Sequence, residues 1–208
     1  MNKNDLLKHI ADTGYNVGFG AKKHFATYDI VEKLPGVISF ISMAFGIYSL
    51  AFIELSTKFL SASILVLGII GLYVSLYDGK KSNYADKGTE LTKLFNELKV
   101  LYLKVKSAED DGLIEHQKTL NDIENRYYDS CINKQIFFSD WFAHYKFFWQ
   151  HQIDWVNEQK KFSFLRDKVP LSFTFSLLLM IILIIIFGID LAEEACSIVN
   201  IVEPETEI

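Results

Sequence analysis

Residues 35–77 read PGVISFISMAFGIYSLAFI, then ELSTK, then FLSASILVLGIIGLYVSLY. The first run, Pro35 to Ile53, and the last, Phe59 to Tyr77, contain no Asp, Glu, Lys, Arg or His, and only Glu54 to Lys58 separates them. About 20 apolar residues rising about 1.5 Å each cross a hydrocarbon core about 30 Å thick, so each run can span a bilayer with little tilt to spare. A third charge-free run, Val169 to Ile189, lies between Lys168 and Asp190. Three such runs in 208 residues leave too little polar surface to cover them as buried core helices. The chain reads as an all-α integral membrane protein whose first two spans form a hairpin. Ser49-Leu50-Ala51 loosely matches a signal cleavage site. The polar segment before it is too long and too mixed in charge for a signal peptide, so the first span reads as retained.

Half of the residues are apolar and 23% are charged. That combination is expected of long uncharged stretches separated by polar ones. A net charge of -5 leaves no footprint for direct nucleic-acid binding. The two cysteines, Cys131 and Cys196, are far apart and imply neither a disulfide framework nor a metal cluster.

Orientation follows from Lys and Arg near the span ends. Lys3, Lys8, Lys22, Lys23 and Lys33 precede the first span, and Lys80, Lys81 and Lys87 follow the second. Lys160, Lys161, Arg166 and Lys168 precede the third, whereas the hairpin loop has only Lys58 and the C-terminal tail has neither Lys nor Arg. The expected topology is N-terminus in, hairpin out, middle segment in and tail out. The expected segments are a cytoplasmic N-terminal helical region (1–33), the hairpin (34–78), a cytoplasmic helical region with an aromatic juxtamembrane part (79–168), a third span (169–189) and an acidic external tail (190–208).

The spans differ in character. Residues 177–187 of the third are aliphatic on nearly every face, as suits a lipid-exposed anchor. In the first, Gly36, Ser39, Ser42, Gly46 and Ser49 recur at helical spacing; in the second, Ser61, Gly68, Gly71 and Ser75 make a looser stripe. Small residues at this spacing let membrane helices approach closely, and serines can bond across the interface. Two readings fit: packing of the hairpin on itself, or an oligomer in which the stripe of the first span lines a pore, with Glu54 ringing the outer mouth. The lack of charge within the spans argues against a coupled transporter.

Between the spans, Leu91, Leu94, Leu98, Leu101 and Val105 form a short heptad seam, extendable back to Tyr84 and broken by Asp110-Asp111-Gly112. Leu113, Leu120, Ile123, Tyr127 and Cys131 predict a second helix. The seam fits antiparallel pairing within the chain or a coiled coil between subunits. Eleven aromatics crowd Phe137 to Phe164, which fits either an interfacial belt or a buried face. Ahead of the first span, apolar positions from Leu6 to Val31 predict a helix with an irregular middle at Gly14, Gly18 and Gly20, ending at Pro35.

No P-loop, GxGxxG, HExxH, GxSxG or paired CxxC occurs, and His144 and His151 among aromatics read as structural. Neither a cofactor nor an enzyme is expected. Gly14-Tyr15-Asn16 and Ala21-Lys22-Lys23-His24-Phe25, then the hairpin, then Tyr84-Ala85-x-x-Gly88-x-x-Leu91-x-x-Leu94 come in an order that resembles the SLATT domains, the SMODS- and SLOG-associating two-transmembrane effectors of bacteria. The resemblance covers roughly residues 5 to 165. It implies a homo-oligomeric, pore-forming effector of the bacterial inner membrane in a nucleotide-signalled or reverse-transcriptase-linked anti-phage system, triggered by a nucleotide second messenger or by a partner sensor or synthase. Tyr15, Asn16, Lys22, His24, Tyr84, Leu91, Leu94 and Leu98 are then candidates for gating or assembly. The alternative is a constitutive small channel or scaffold unrelated to defence.

Overall fold

The computed structural model describes residues 2–52, 58–108, 112–151 and 153–202, the last as backbone only at Leu165 and from 187 onward. Glu54, Asp110, Asp111, Gln152 and the tail carboxylates Glu203, Glu205 and Glu207 lie outside the described residues. Among those described, the chain is helical without a strand: α1 (Lys3–Ala51), α2 (Lys58–Ser75), a 3-10 turn (Asp78–Lys80), α3 (Lys81–Ser107), α4 (Leu113–Ser130), α5 (Ser139–Gln150), α6 (Asp154–Lys160), α7 (Phe164–Asp167) and α8 (Leu171–Val202).

One helix carries both the N-terminal segment and the first span. It starts at Asn2, whose Oδ1 accepts the Asp5 N–H at 2.8 Å, and continues for 49 residues, about 74 Å at the usual rise. The expected end at Pro35 is corrected: the proline lies inside the helix. An interior proline withholds one N–H from the carbonyl four residues back and costs about 3 kcal/mol. Packing on both sides of it holds the helix together. Val31 is buried with Val74, Tyr77, Tyr84 and Ile136, and Ile38 is buried in turn. The irregular middle is corrected too. Gly14, Gly18 and Gly20 sit in regular helix, where the first two let rings approach. A Cβ on Gly14 would lie 2.3 Å from the Trp155 ring, and one on Gly18 would lie 2.8 Å from Phe95 and 2.9 Å from Phe147.

α3 returns antiparallel to α1. Lys3 Nζ donates to the Ala108 carbonyl at 2.6 Å at one end, and Lys81 pairs with Glu32 at 2.9 Å at the other. The heptad seam is buried inside this one chain. Leu91, Leu94, Leu98, Leu101 and Val105 pack with Leu6, Ile10 and Val17 of α1, with Leu120 and Ile123 of α4, and with Trp155 and Val156 of α6. The break after α3 falls where expected, at Gly112, whose φ of +101° favours glycine.

α5 and α6 descend along α1, away from the hairpin. Phe147 lies against Gly18, Trp155 against Gly14, and Lys160 Nζ reaches Asp12 at 2.6 Å. Ala143, Phe147 and Trp155 are buried, whereas Tyr145 and Trp149 are exposed. The aromatic segment thus supplies a buried face and an outer one.

Among the described residues, α1 and α2 are long and apolar enough to cross a membrane. In their facing surfaces Ile38 lies over Gly71, and Val74 is 2% exposed. Residues from 163 onward form a separate unit. Within it, α8 continues as helix through the expected end of the span at Ile189 as far as Val202. Its side chains from Leu177 to Ile186 are all 40–61% exposed, with no buried face.

Candidate functional site: a strap at the root of the hairpin

Residues 131–136, between α4 and α5, form no helix, so their backbone polar groups need partners elsewhere. Side chains of α1 and α3, of Tyr77 in the turn after α2 and of Gln135 itself supply several of them. His24 Nε2 accepts the Ile132 N–H at 3.1 Å, while its Nδ1 lies 2.7 Å from the Gly20 carbonyl. Nδ1 therefore carries the proton and the ring is neutral. Burial lowers the His24 pKa; the Gly20 carbonyl opposes this, and Lys23 and Lys87 reinforce it. The Tyr84 hydroxyl donates to the Lys134 carbonyl at 2.6 Å, and burial raises its pKa. The Tyr77 hydroxyl donates to the Gln135 carbonyl at 3.4 Å. Thr27 Oγ1 donates to Gln135 Oε1 at 2.5 Å, and Gln135 Nε2 turns back to the Ile132 carbonyl at 2.7 Å. Where the strap ends, the Phe137 N–H donates to the Tyr73 hydroxyl of α2 at 3.4 Å.

A charged cluster lies beside the strap. Asp29 accepts from Lys33 at 2.8 Å and from Lys146 of α5. Burial pushes the Asp29 carboxyl up, but the two ammonium groups outweigh it and hold it below the ordinary carboxylate range. Lys22 is lowered by burial and by the charge of Lys146. Lys81, bonded to Glu32 and Asp78, is raised. Lys23 of α1 pairs with Asp140 of α5 at 2.7 Å.

The strap leaves an apolar cleft of about 230 Å³ against the hairpin. Ile30 and Leu34 of α1, Ile70, Tyr73 and Val74 of α2, and Ile136, Phe137 and Phe138 line it. Phe138 has a φ of +66°, a conformation that a bulky residue rarely adopts and that costs about 1–3 kcal/mol.

Of the candidates for gating or assembly, His24 and Tyr84 meet at the strap, their rings 6.2 Å apart. Tyr15 lies further along α1, 5.5 Å from both Phe147 and Phe162, with Lys160 Nζ 5.0 Å over its ring. Asn16 is exposed, Lys22 is half-buried, and Leu91, Leu94 and Leu98 belong to the core. Thr27, Asp29, Tyr73, Gln135 and Lys146 were not foreseen, because the contacts of Thr27 with Gln135, Asp29 with Lys146 and Tyr73 with Phe137 each join distant parts of the chain.

The small-residue stripe of the first span divides. Ser42 and Ser49 are half-buried, whereas Gly36, Ser39 and Gly46 are exposed. A Cβ on Gly36, Gly46 or Gly68 would meet nothing within 4 Å among the described residues. Ser61 and Ser75 are also exposed. Ser39 and Ser75 hydroxyls donate to carbonyls of their own helices at 2.9 and 2.7 Å, not across the hairpin. His144 and His151 lie edge-on or tilted against the rings of Phe19, Phe95, Phe147 and Phe148. Burial, with the charges of Lys22 and Lys99, lowers His151 to about 4. Among the described residues, no group of three or more His, Cys, Asp or Glu could hold a metal ion.

Several residues of the quoted motifs therefore join helices: Gly14 seats the Trp155 ring, His24 and Tyr84 hold the strap, and Gly88 lies 3.1 Å from Phe25 by its would-be Cβ. Comparison with family models matches residues 1–177 to the one described as SMODS and SLOG-associating 2TM effector domain 6. Curated proteins and solved structures gave no match. The match takes in the bundle, the strap and both apolar helices, and the chain belongs to this family of two-transmembrane effector domains.

Proposed function

We propose that this chain is a homo-oligomeric effector of the bacterial inner membrane that permeabilises the bilayer when a partner sensor, or a synthase through its nucleotide product, signals infection. The N-terminus and bundle face the cytoplasm, in keeping with the placement of Lys and Arg, and α8 provides a third, anchoring span. The observation that carries the reading is the course of α1. A single helix runs from the bundle core through the strap contacts into the first span, where Gly36, Ser39 and Gly46 present a face that no part of the described chain covers. A shift of the bundle against the strap is thereby passed along a rigid element to the membrane, and the uncovered face is where neighbouring subunits or the aqueous path would lie.

Co-expression with the nucleotide synthase or sensor from the neighbouring genes, followed with a potentiometric dye, tests this reading. Depolarisation on triggering, with no loss of potential in its absence, is expected. Growth arrest with an intact potential would contradict permeabilisation. Small-molecule turnover by the purified protein would point to an enzyme.

A further inference from the structure

We propose that the cleft between the strap and the hairpin is a lipid site, holding one acyl chain from the leaflet on the bundle's side. The inference rests on insertion of α1 and α2 in a bilayer and is independent of pore formation. The cleft lies where the spans meet the bundle: Leu34 precedes Pro35, and Ile70 and Val74 belong to the last turns of α2. Its wall is continuous with lipid-facing surface, since Ile69 and Leu72 beside it are 58% and 70% exposed.

Chemistry favours a lipid chain over water. Seven of the eight lining residues are aliphatic or phenylalanine, and water in such a space lacks partners. The one polar group among the lining side chains, the Tyr73 hydroxyl, already accepts the Phe137 N–H. Beyond it the rim becomes polar: Tyr77 Oη lies 3.5 Å from Tyr73 Oη, and Lys134 Nζ lies 5.5 Å from the Tyr77 ring. An ammonium there suits the phosphate of a lipid whose chain enters the cleft. Phe138 forms the far wall in its left-handed backbone conformation, with the Phe137 ring 4.3 Å away, edge to face.

The test uses the full chain in vesicles of phosphatidylethanolamine and phosphatidylglycerol, with a trace of phosphatidylglycerol carrying a diazirine midway along one acyl chain. After irradiation, adducts are mapped by mass spectrometry. Adducts are expected on residues 136–138 as well as on both spans. Leu34→Phe, which fills the cleft, should reduce the strap adducts several-fold and leave the span adducts unchanged. If that variant fails to fold, Phe137→Ala removes the outer wall at a side chain already 68% exposed and should have the same effect. Adducts on the spans with none on residues 136–138 would overturn the site, as would strap labelling that neither variant alters. Absence of labelling on the spans would refute insertion itself, so failure of the site and failure of the membrane reading are distinguishable.

Discussion

His24 holds the Ile132 N–H at 3.1 Å across 108 residues of sequence, and through it the first helix grips the strap. Because the accepting nitrogen must be unprotonated, the grip belongs to the neutral ring. The folded pKa lies below that of the free side chain, so the unfolded chain binds more protons in acid. His151, lowered to about 4, acts with the same sign. Stability from these two groups is complete above about pH 6.5 and falls as pH drops from there toward 4. Thermal unfolding in detergent should show this loss, and His151→Phe should flatten its lower part. A midpoint independent of pH between 7 and about 4 would contradict the assignment of neutral buried rings.

Tyr84→Phe and Thr27→Val each remove one hydrogen bond to the strap, and each should cost about 1 kcal/mol of stability. Their larger effect is expected on signalling: the double variant should insert and fold yet lose triggered depolarisation. Normal depolarisation by a double variant whose strap is demonstrably loosened in hydrogen exchange would remove the strap from the signalling route.

Glycines in α1 should divide by position. Replacing an interior helical glycine with alanine gains about 1 kcal/mol of helix propensity where there is room. Gly14→Ala and Gly18→Ala drive a methyl into the rings of Trp155, Phe95 and Phe147 and should lower stability by about 1–3 kcal/mol. Gly36→Ala and Gly46→Ala meet nothing among the described residues and should leave the thermal midpoint unchanged or raised. If Gly46→Ala also suppresses depolarisation, the loss lies in assembly and not in the fold of one subunit.

Core truncation offers a calibration. Leu98 is fully buried among α1, α3, α4 and α6, and Leu98→Ala should cost about 2–5 kcal/mol, read from denaturant or thermal unfolding. A cost below 1 kcal/mol would mean that the seam has another partner than this chain's own helices.

Some of this was legible in the sequence because the physics is periodic. The two spans of the hairpin were visible because a bilayer sets a minimum length for a charge-free run. Leu91 to Val105 could be placed on one face because a helix repeats every 3.6 residues. Gly112 marked its turn because few other residues adopt its φ. Pro35 misled, since a proline at the first turn of a helix and one inside a helix look alike until the packing of Val31 and Ile38 is known. Gly14 and Gly18 misled for a related reason: glycine permits either a bend or a close approach, and the deciding groups, Trp155 and Phe147, lie more than a hundred residues away. The strap had no local signal at all. His24 with Ile132, Tyr84 with Lys134 and Tyr77 with Gln135 are separated by 108, 50 and 58 residues.

The most direct measurement is thiol accessibility on the uncovered face of the first span. Ser39→Cys, Ser42→Cys and Ser49→Cys are made singly in a chain lacking Cys131 and Cys196, and a water-soluble thiol reagent is applied before and after triggering. Serine and cysteine differ little in volume, so packing is nearly preserved. Ser39→Cys, on the open side of the helix, should react most readily after triggering, and its modification should block ion flux. Ser42→Cys and Ser49→Cys, half-buried, should react more slowly. If all three stay unreactive while triggered cells still depolarise, the first span does not line the path, and the account of α1 as the permeating helix is wrong.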